Sequence, residues 1–126
     1  MTSTLEAVVA GRPDAVTMHK GIATSAWTPY AGIIPFILQG TLARVDDTAW
    51  ELFASPEDAV RLGADAYAYA LFVSGATEAQ RLRGLSDVVT VAARYEMPVI
   101  CHIYPRTFRG DRPAVSFEPE DIAWAV

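Results

Sequence analysis

Four short apolar runs alternate along the chain with stretches of helical periodicity, the pattern of β/α units on a parallel sheet. The runs are residues 14–18 (Asp-Ala-Val-Thr-Met), 33–38 (Ile-Ile-Pro-Phe-Ile-Leu), 66–73 (Ala-Tyr-Ala-Tyr-Ala-Leu-Phe-Val) and 98–104 (Pro-Val-Ile-Cys-His-Ile-Tyr). Gly11-Arg12-Pro13 precedes the first, and Gln39-Gly40, Ser74-Gly75 and Pro105 close the others. Their lack of clean alternation suits strands covered on both faces. Within the third run Tyr67 and Tyr69 alternate with alanines, so both are expected on one side of the sheet.

Between the runs, Ser55-Pro56-Glu57-Asp58 predicts a helix start, with a capping serine, a first-turn proline and early acids. That helix should end near Gly63. A longer one is predicted over 77–95, capped by Thr77, with Leu82, Leu85, Val89 and Ala92 as its apolar stripe. Arg81, Arg83, Asp87 and Arg94 then fall on a solvated outer face. Residues 3–10 read as the last turns of a helix, with Leu5, Val8 and Val9 on one side. At the other end Glu118-Pro119-Glu120-Asp121 opens a helix that continues to Val126 without a glycine cap or a basic last turn. Both ends look cut, and residues 1–126 are expected to be one segment of a larger β/α protein.

Composition narrows the class. Of 126 residues 52% are hydrophobic and 20% charged, which excludes disorder. A net charge of -5 argues against nucleic acid as a partner. No apolar run of about 18 residues exists to cross a membrane, and the first twenty residues carry no secretory pattern. A soluble, cytoplasmic, acidic globular chain is therefore expected. The single cysteine, Cys101, rules out an internal disulfide and a cysteine-rich metal cluster. Nine of the ten basic residues are arginines, so Lys20 is the one side chain able to serve as a lysine nucleophile.

Three stretches stand in the order and spacing of one family: Pro13-Asp-Ala-Val-Thr-Met-His-Lys-Gly21, Ser55-Pro-Glu-Asp-Ala-Val-Arg-Leu-Gly-Ala-Asp-Ala66 and Pro98-Val-Ile-Cys-His-Ile-Tyr-Pro-Arg106. From about residue 5 to 126 the chain resembles the archaeal-type class I fructose-bisphosphate aldolases and their relatives, the autoinducer-2 aldolase and the aminodideoxyheptulosonate synthase. The resemblance implies an α/β fold, a partial TIM (β/α)8 barrel of about four parallel strands corresponding to strands two to five. Such barrels ordinarily need about 200 residues or more. Strand one and strands six to eight have no counterpart here, and with them go the family's Schiff-base lysine, on the sixth strand, and an acid on the first. The implied reaction is reversible aldol cleavage of a phosphorylated sugar or related keto compound, with no metal and no cofactor.

Tyr104 is the leading catalytic candidate, because active-site groups of barrels gather at the C-terminal ends of strands. The resemblance makes it the proton donor and acceptor. Breaking a carbon–carbon bond beside a hydroxyl needs a base for the hydroxyl proton and an acid for the carbinolamine. A phenol held by its neighbours can do both. His102 lies two residues earlier, on the same face of a regular strand, and is a candidate for orienting substrate. Lys20 follows the first run, where it could act as a substrate-loop cation. An imine there requires a desolvated amine, and the adjacent His19 would point to the opposite face.

Arg106, together with Arg109, is placed on a loop past Tyr104, where its guanidinium could meet a phosphate or simply stay solvated. His19 and His102 with Asp14 or Asp65 lack the ligand spacing of a metal site. Cys101 reads as a buried small hydrophobe. The expected function is thus that of a class I aldolase-family protein that needs further barrel strands. The alternatives are a non-catalytic half-barrel that forms a homo-oligomer or pairs with a complementing chain, and, last, a flavodoxin-like binding module, for which no glycine-rich phosphate turn is visible.

Overall fold

A computed structural model describes residues 2–126, which form helix α1 (Thr2–Ala10), strand β1 (Val16–His19), a short helix α2 (Lys20–Ile22), β2 (Phe36–Gln39), β3 (Thr41–Ala43), β4 (Trp50–Leu52), α3 (Pro56–Leu62), β5 (Ala66–Val73), α4 (Glu78–Ala93), β6 (Val99–Arg109), β7 (Arg112–Val115) and α5 (Pro119–Ala125). After α2 the chain continues through a π-helical turn, Ala23–Trp27, and a 3₁₀ turn, Thr28–Tyr30. β1, β2, β5 and β6 lie side by side in parallel, and β7 adds antiparallel to the far end of β6. β3 and β4 form a separate antiparallel hairpin.

Register sorts the side chains between the two faces. Phe36 and Leu38 of β2 share one face with Tyr67, Tyr69, Leu71 and Val73 of β5, and all six are buried in the main core. The tyrosines face the same side, as their alternation with alanine predicts. Their hydroxyls donate to backbone: Tyr67 to the Ala54 carbonyl and Tyr69 to the Arg81 carbonyl. Glycines make the room. A Cβ on Gly40 would overlap the Tyr67 phenol, and one on Gly84 would stand 2.6 Å from the Tyr69 hydroxyl.

Helix α3 follows its sequence signals closely. The Ser55 hydroxyl accepts from the Asp58 amide, the Asp58 carboxylate accepts from the Ser55 amide, and Gly63 ends the helix with φ 69°. In α4 the inward face differs from the expected stripe. Val88 and Ala92 are buried and Leu85 packs on the core, whereas Leu82 and Val89 are exposed. Arg81 belongs to the inner flank rather than the solvated face: its guanidinium sits 4.2 Å from the centre of the Trp50 ring. Thr77 stands at the N-cap position as expected, but its hydroxyl makes no capping bond and donates to Asp47. In α1, Leu5 is buried and Val9 packs on the core, while Val8 faces outward.

The strand ending at Tyr104 is longer than its apolar run. β6 passes through Pro105 and Arg106 to Arg109, turns at Gly110 (φ 62°) and returns as β7. The change of partner explains this. Up to Pro105 the ladder is with β5, and from Arg106 onward it is with β7, so proline sits where one pairing hands over to the other. Among the described residues no helix is long and apolar enough to cross a membrane.

Candidate active site

The opposite face of the sheet carries the groups with chemistry. In a parallel ladder paired residues project to the same side. The register His19↔Gln39, Gln39↔Ala68, Ala70↔His102 and Phe72↔Tyr104 therefore sets His19, Gln39, His102 and Tyr104 on one face. All four border a cavity of about 340 Å³ at the C-terminal strand ends, walled also by Phe72 and by Thr41 and Leu42 of β3. On β5 the small side chain of Ala70 lines the same space.

Tyr104 is 40% exposed, and its ring packs against Phe72 with centroids 5.4 Å apart. The hydroxyl is thus presented on a ring braced from one side. Thr41, by contrast, is buried and fully used. Its hydroxyl accepts from the Ala70 amide at 2.6 Å and donates to the Ala70 carbonyl at 3.2 Å. The Gln39 amide nitrogen donates to the Thr41 carbonyl at 3.1 Å, and Trp50 Nε1 also donates to the Ala70 carbonyl. These bonds fasten the β3–β4 hairpin across β5 as a wall of the cavity. Sequence reading missed Gln39, Thr41 and Phe72 as site residues. The Gln39-Gly40 boundary was the available signal, since it marks a polar side chain at the end of a strand.

Lys20 does not reach this cavity. Its ammonium donates to Asp58 Oδ2 at 3.0 Å; the Ser55 amide first, and this bond after it, hold the Asp58 carboxyl below the usual range. Arg106 is also displaced from its expected role, and the loop expected around it is a strand. The side chain is 1% exposed. Nε donates to the Val73 carbonyl at 3.3 Å, and Nη1 donates to the Val45 carbonyl at 3.1 Å and to Asp47 Oδ2 at 2.6 Å. Nη2 faces the Thr77 hydroxyl at 3.5 Å. A guanidinium so occupied is neither solvated nor free for a phosphate. It ties the hairpin turn, the end of β5 and the start of α4 to β6.

Cys101 points to the helix side of the sheet, where burial pushes its thiol up. Among the described residues no group of three or more His, Cys, Asp and Glu side chains is placed to hold a metal ion.

A family model of the DeoC/LacD aldolases matches residues 1–125. The chain belongs to the DeoC/LacD aldolase family. This aldolase chain is 26% identical over 116 residues to a 2-amino-4,5-dihydroxy-6-oxo-7-(phosphonooxy)heptanoate synthase of Streptomyces griseus, covering 90% of the chain and 41% of the relative. It is 33% identical over 106 residues to a 2-amino-3,7-dideoxy-D-threo-hept-6-ulosonate synthase of Halobacterium salinarum, covering 82% and 40%. An archaeal fructose-1,6-bisphosphate aldolase, solved with its catalytic lysine covalently bound to the carbinolamine intermediate of its substrate, superimposes with a TM-score of 0.79 at 24% identity, over 98% of this chain and 48% of that one. The chain thus spans less than half the length of the relatives it matches. Its curled five-stranded sheet is similar to half of that TIM barrel. The cavity of this aldolase-family chain lies at the strand ends where such barrels keep their active sites.

Proposed function

We propose that this chain is the strand-two-to-five portion of a class I aldolase barrel that reversibly cleaves a phosphorylated sugar or related keto compound in the cytoplasm. The observation that carries the reading is the presentation of Tyr104 in the strand-end cavity, on the same face as His102, Gln39 and His19. Tyr104 takes the proton of the substrate hydroxyl beside the bond that breaks and acts as the acid toward the carbinolamine. His102, one strand repeat below it, orients the substrate.

The imine amine comes from elsewhere. The chain's single lysine is held by Asp58 outside the cavity. The remaining strands supply the amine, either as part of a longer polypeptide or as a complementing chain. Lys20 and Arg106 serve as scaffold: one anchors the start of α2 to α3, the other anchors the hairpin wall.

The test is turnover by the native protein isolated from its own cells, with and without Tyr104→Phe. General acid–base catalysis contributes about 10²- to 10⁴-fold, so the variant should lose that much in kcat. Unchanged kcat would sink the assignment.

A second reading has its own observation. The outer edge of β1 and the outer edge of β6 before Arg106 carry no strand partner among the described residues. Unpaired edges invite pairing, so a half-barrel that associates with itself or with a second chain follows as the alternative. Light scattering after size exclusion separates the two: a stable monomer of this chain alone counts against the alternative.

A further inference from the structure

Beside the Tyr104 cavity lies a larger one of about 660 Å³, and the two share His19 and Leu42. That volume is typical of small-molecule sites, about 300–1,000 Å³. One wall is Leu42 of β3 and Phe53 just past β4; the other is the start of the helical segment after β1, from Gly21 to Ser25. Phe53 is 53% exposed, with its ring edge-on to His19 at 6.4 Å between centroids.

The hydroxyls of this second cavity are already spent, and its ammonium is paired. The Thr24 hydroxyl donates to the Lys20 carbonyl at 2.8 Å, and the Ser25 hydroxyl donates to the Gly21 and Ile22 carbonyls at 3.0 and 3.1 Å. The Lys20 ammonium is bound to Asp58. The two hydroxyls offer an entering anion no donor, and Lys20 meets it with a charge already countered by Asp58, so the desolvation of an anion is poorly repaid here. Carbon meets carbon instead. Gly21 adds open volume, since a Cβ there would meet nothing within 4 Å. The far wall turns through the π-helical segment Ala23–Trp27, a geometry rare in proteins and frequent at functional sites.

We propose that this cavity is a subsite for an apolar substituent, an aliphatic chain or an aromatic ring, carried by the carbonyl substrate whose reacting carbons lie at Tyr104. His19 stands at the passage between the two, and the tail lies between Phe53 and Leu42. The proposal rests on the aldolase reading of the Tyr104 cavity and adds the chemical class of one end of the substrate.

The test uses the native protein and a homologous series of unreactive secondary alcohols, from 2-propanol to 2-octanol, with affinity read by calorimetry. Affinity should rise about threefold or more with each added methylene. Gly21→Leu, which fills the cavity from an unobstructed position, should flatten the series, and Phe53→Ala should shallow it. Binding does not depend on turnover, so the two readings fail separately. A flat series in a protein whose turnover depends on Tyr104 overturns the subsite and leaves the aldolase reading standing. A rising series without Tyr104-dependent turnover overturns the aldolase reading and leaves an apolar binding cavity. A rising series that neither variant alters places the alcohols elsewhere and also overturns the proposal. So does inorganic phosphate, if it binds in this cavity and is displaced by Gly21→Leu.

Discussion

Removing the carboxylate of Asp47 isolates the contribution of the buried guanidinium that ties the hairpin wall to the sheet. Arg106 is 1% exposed and Asp47 27%, with Nη1 and Oδ2 2.6 Å apart. In Asp47→Ala the cation keeps the Val45 and Val73 carbonyls but loses its counter-charge, and the Thr77 hydroxyl loses its acceptor. Stripping one partner from a buried pair costs about 3–5 kcal/mol, and the partial exposure of Asp47 places this case near the lower end. Asp47 also has φ 57°, a left-handed conformation that aspartate and asparagine adopt more readily than alanine, which adds roughly 1 kcal/mol. Asp47→Asn keeps the backbone preference and an acceptor oxygen while removing the charge, so it should cost about 1–2 kcal/mol, the difference between a charged and a neutral hydrogen bond. Urea unfolding of the native protein measures both. Exchange of the Arg44 and Phe53 amides, bonded to the Ala49 and Gly40 carbonyls, reports whether the hairpin loosens first. The deficit should persist at high salt, because buried pairs are screened little. If both variants stay within about 0.5 kcal/mol of the parent, the level of ordinary surface changes, the pair does not hold the wall.

Three further outcomes follow from contacts described above. Gly40→Ala should destabilise by about 1–3 kcal/mol through overpacking against the Tyr67 phenol, measured by the same unfolding experiment. Burial pushes the Tyr69 phenol from 10.0 up to about 12, so the fold favours its neutral form. That contribution is complete below pH 10 and drains as the pH rises toward 12; unfolding free energy followed against pH should show this limb weakened in Tyr69→Phe. The depressed carboxyl of Asp58 works in the opposite sense. Its contribution is present above the ordinary value of 3.8 and is lost as the pH falls through the lowered one, so Asp58→Asn should reduce the acid sensitivity of the melting temperature.

Elements whose limits are set locally were legible in the sequence. β5 spans the predicted 66–73, because a continuous apolar run between Asp65 and Ser74 needs no distant information. α3 lies inside its serine and glycine signals for the same reason. The shared face of His102 and Tyr104 came directly from strand alternation. What escaped depended on partners far along the chain. Arg106 is fixed by Asp47, 59 positions away, and Lys20 by Asp58, 38 positions away, and nothing beside either residue announces its partner. The β3–β4 hairpin was missed because its strands have three residues each and are stabilised by β5 rather than by their own apolar pattern. The inner face of α4 was misjudged by one position, which put Val89 where Val88 lies and set Arg81 outside.

Three glycines share a feature with an evolutionary consequence. Gly40 leaves space for Tyr67, Gly84 for Tyr69 and Gly75 for the guanidinium of Arg106. In each pair the polar end of the larger residue fills space that a Cβ would need and bonds to a backbone carbonyl. Neither member can change size alone without overlap or a void, so single substitutions at these six positions are selectively trapped. Lineages of this fold should therefore exchange them as matched pairs, and an alanine at position 40 should travel with a smaller residue than tyrosine at position 67.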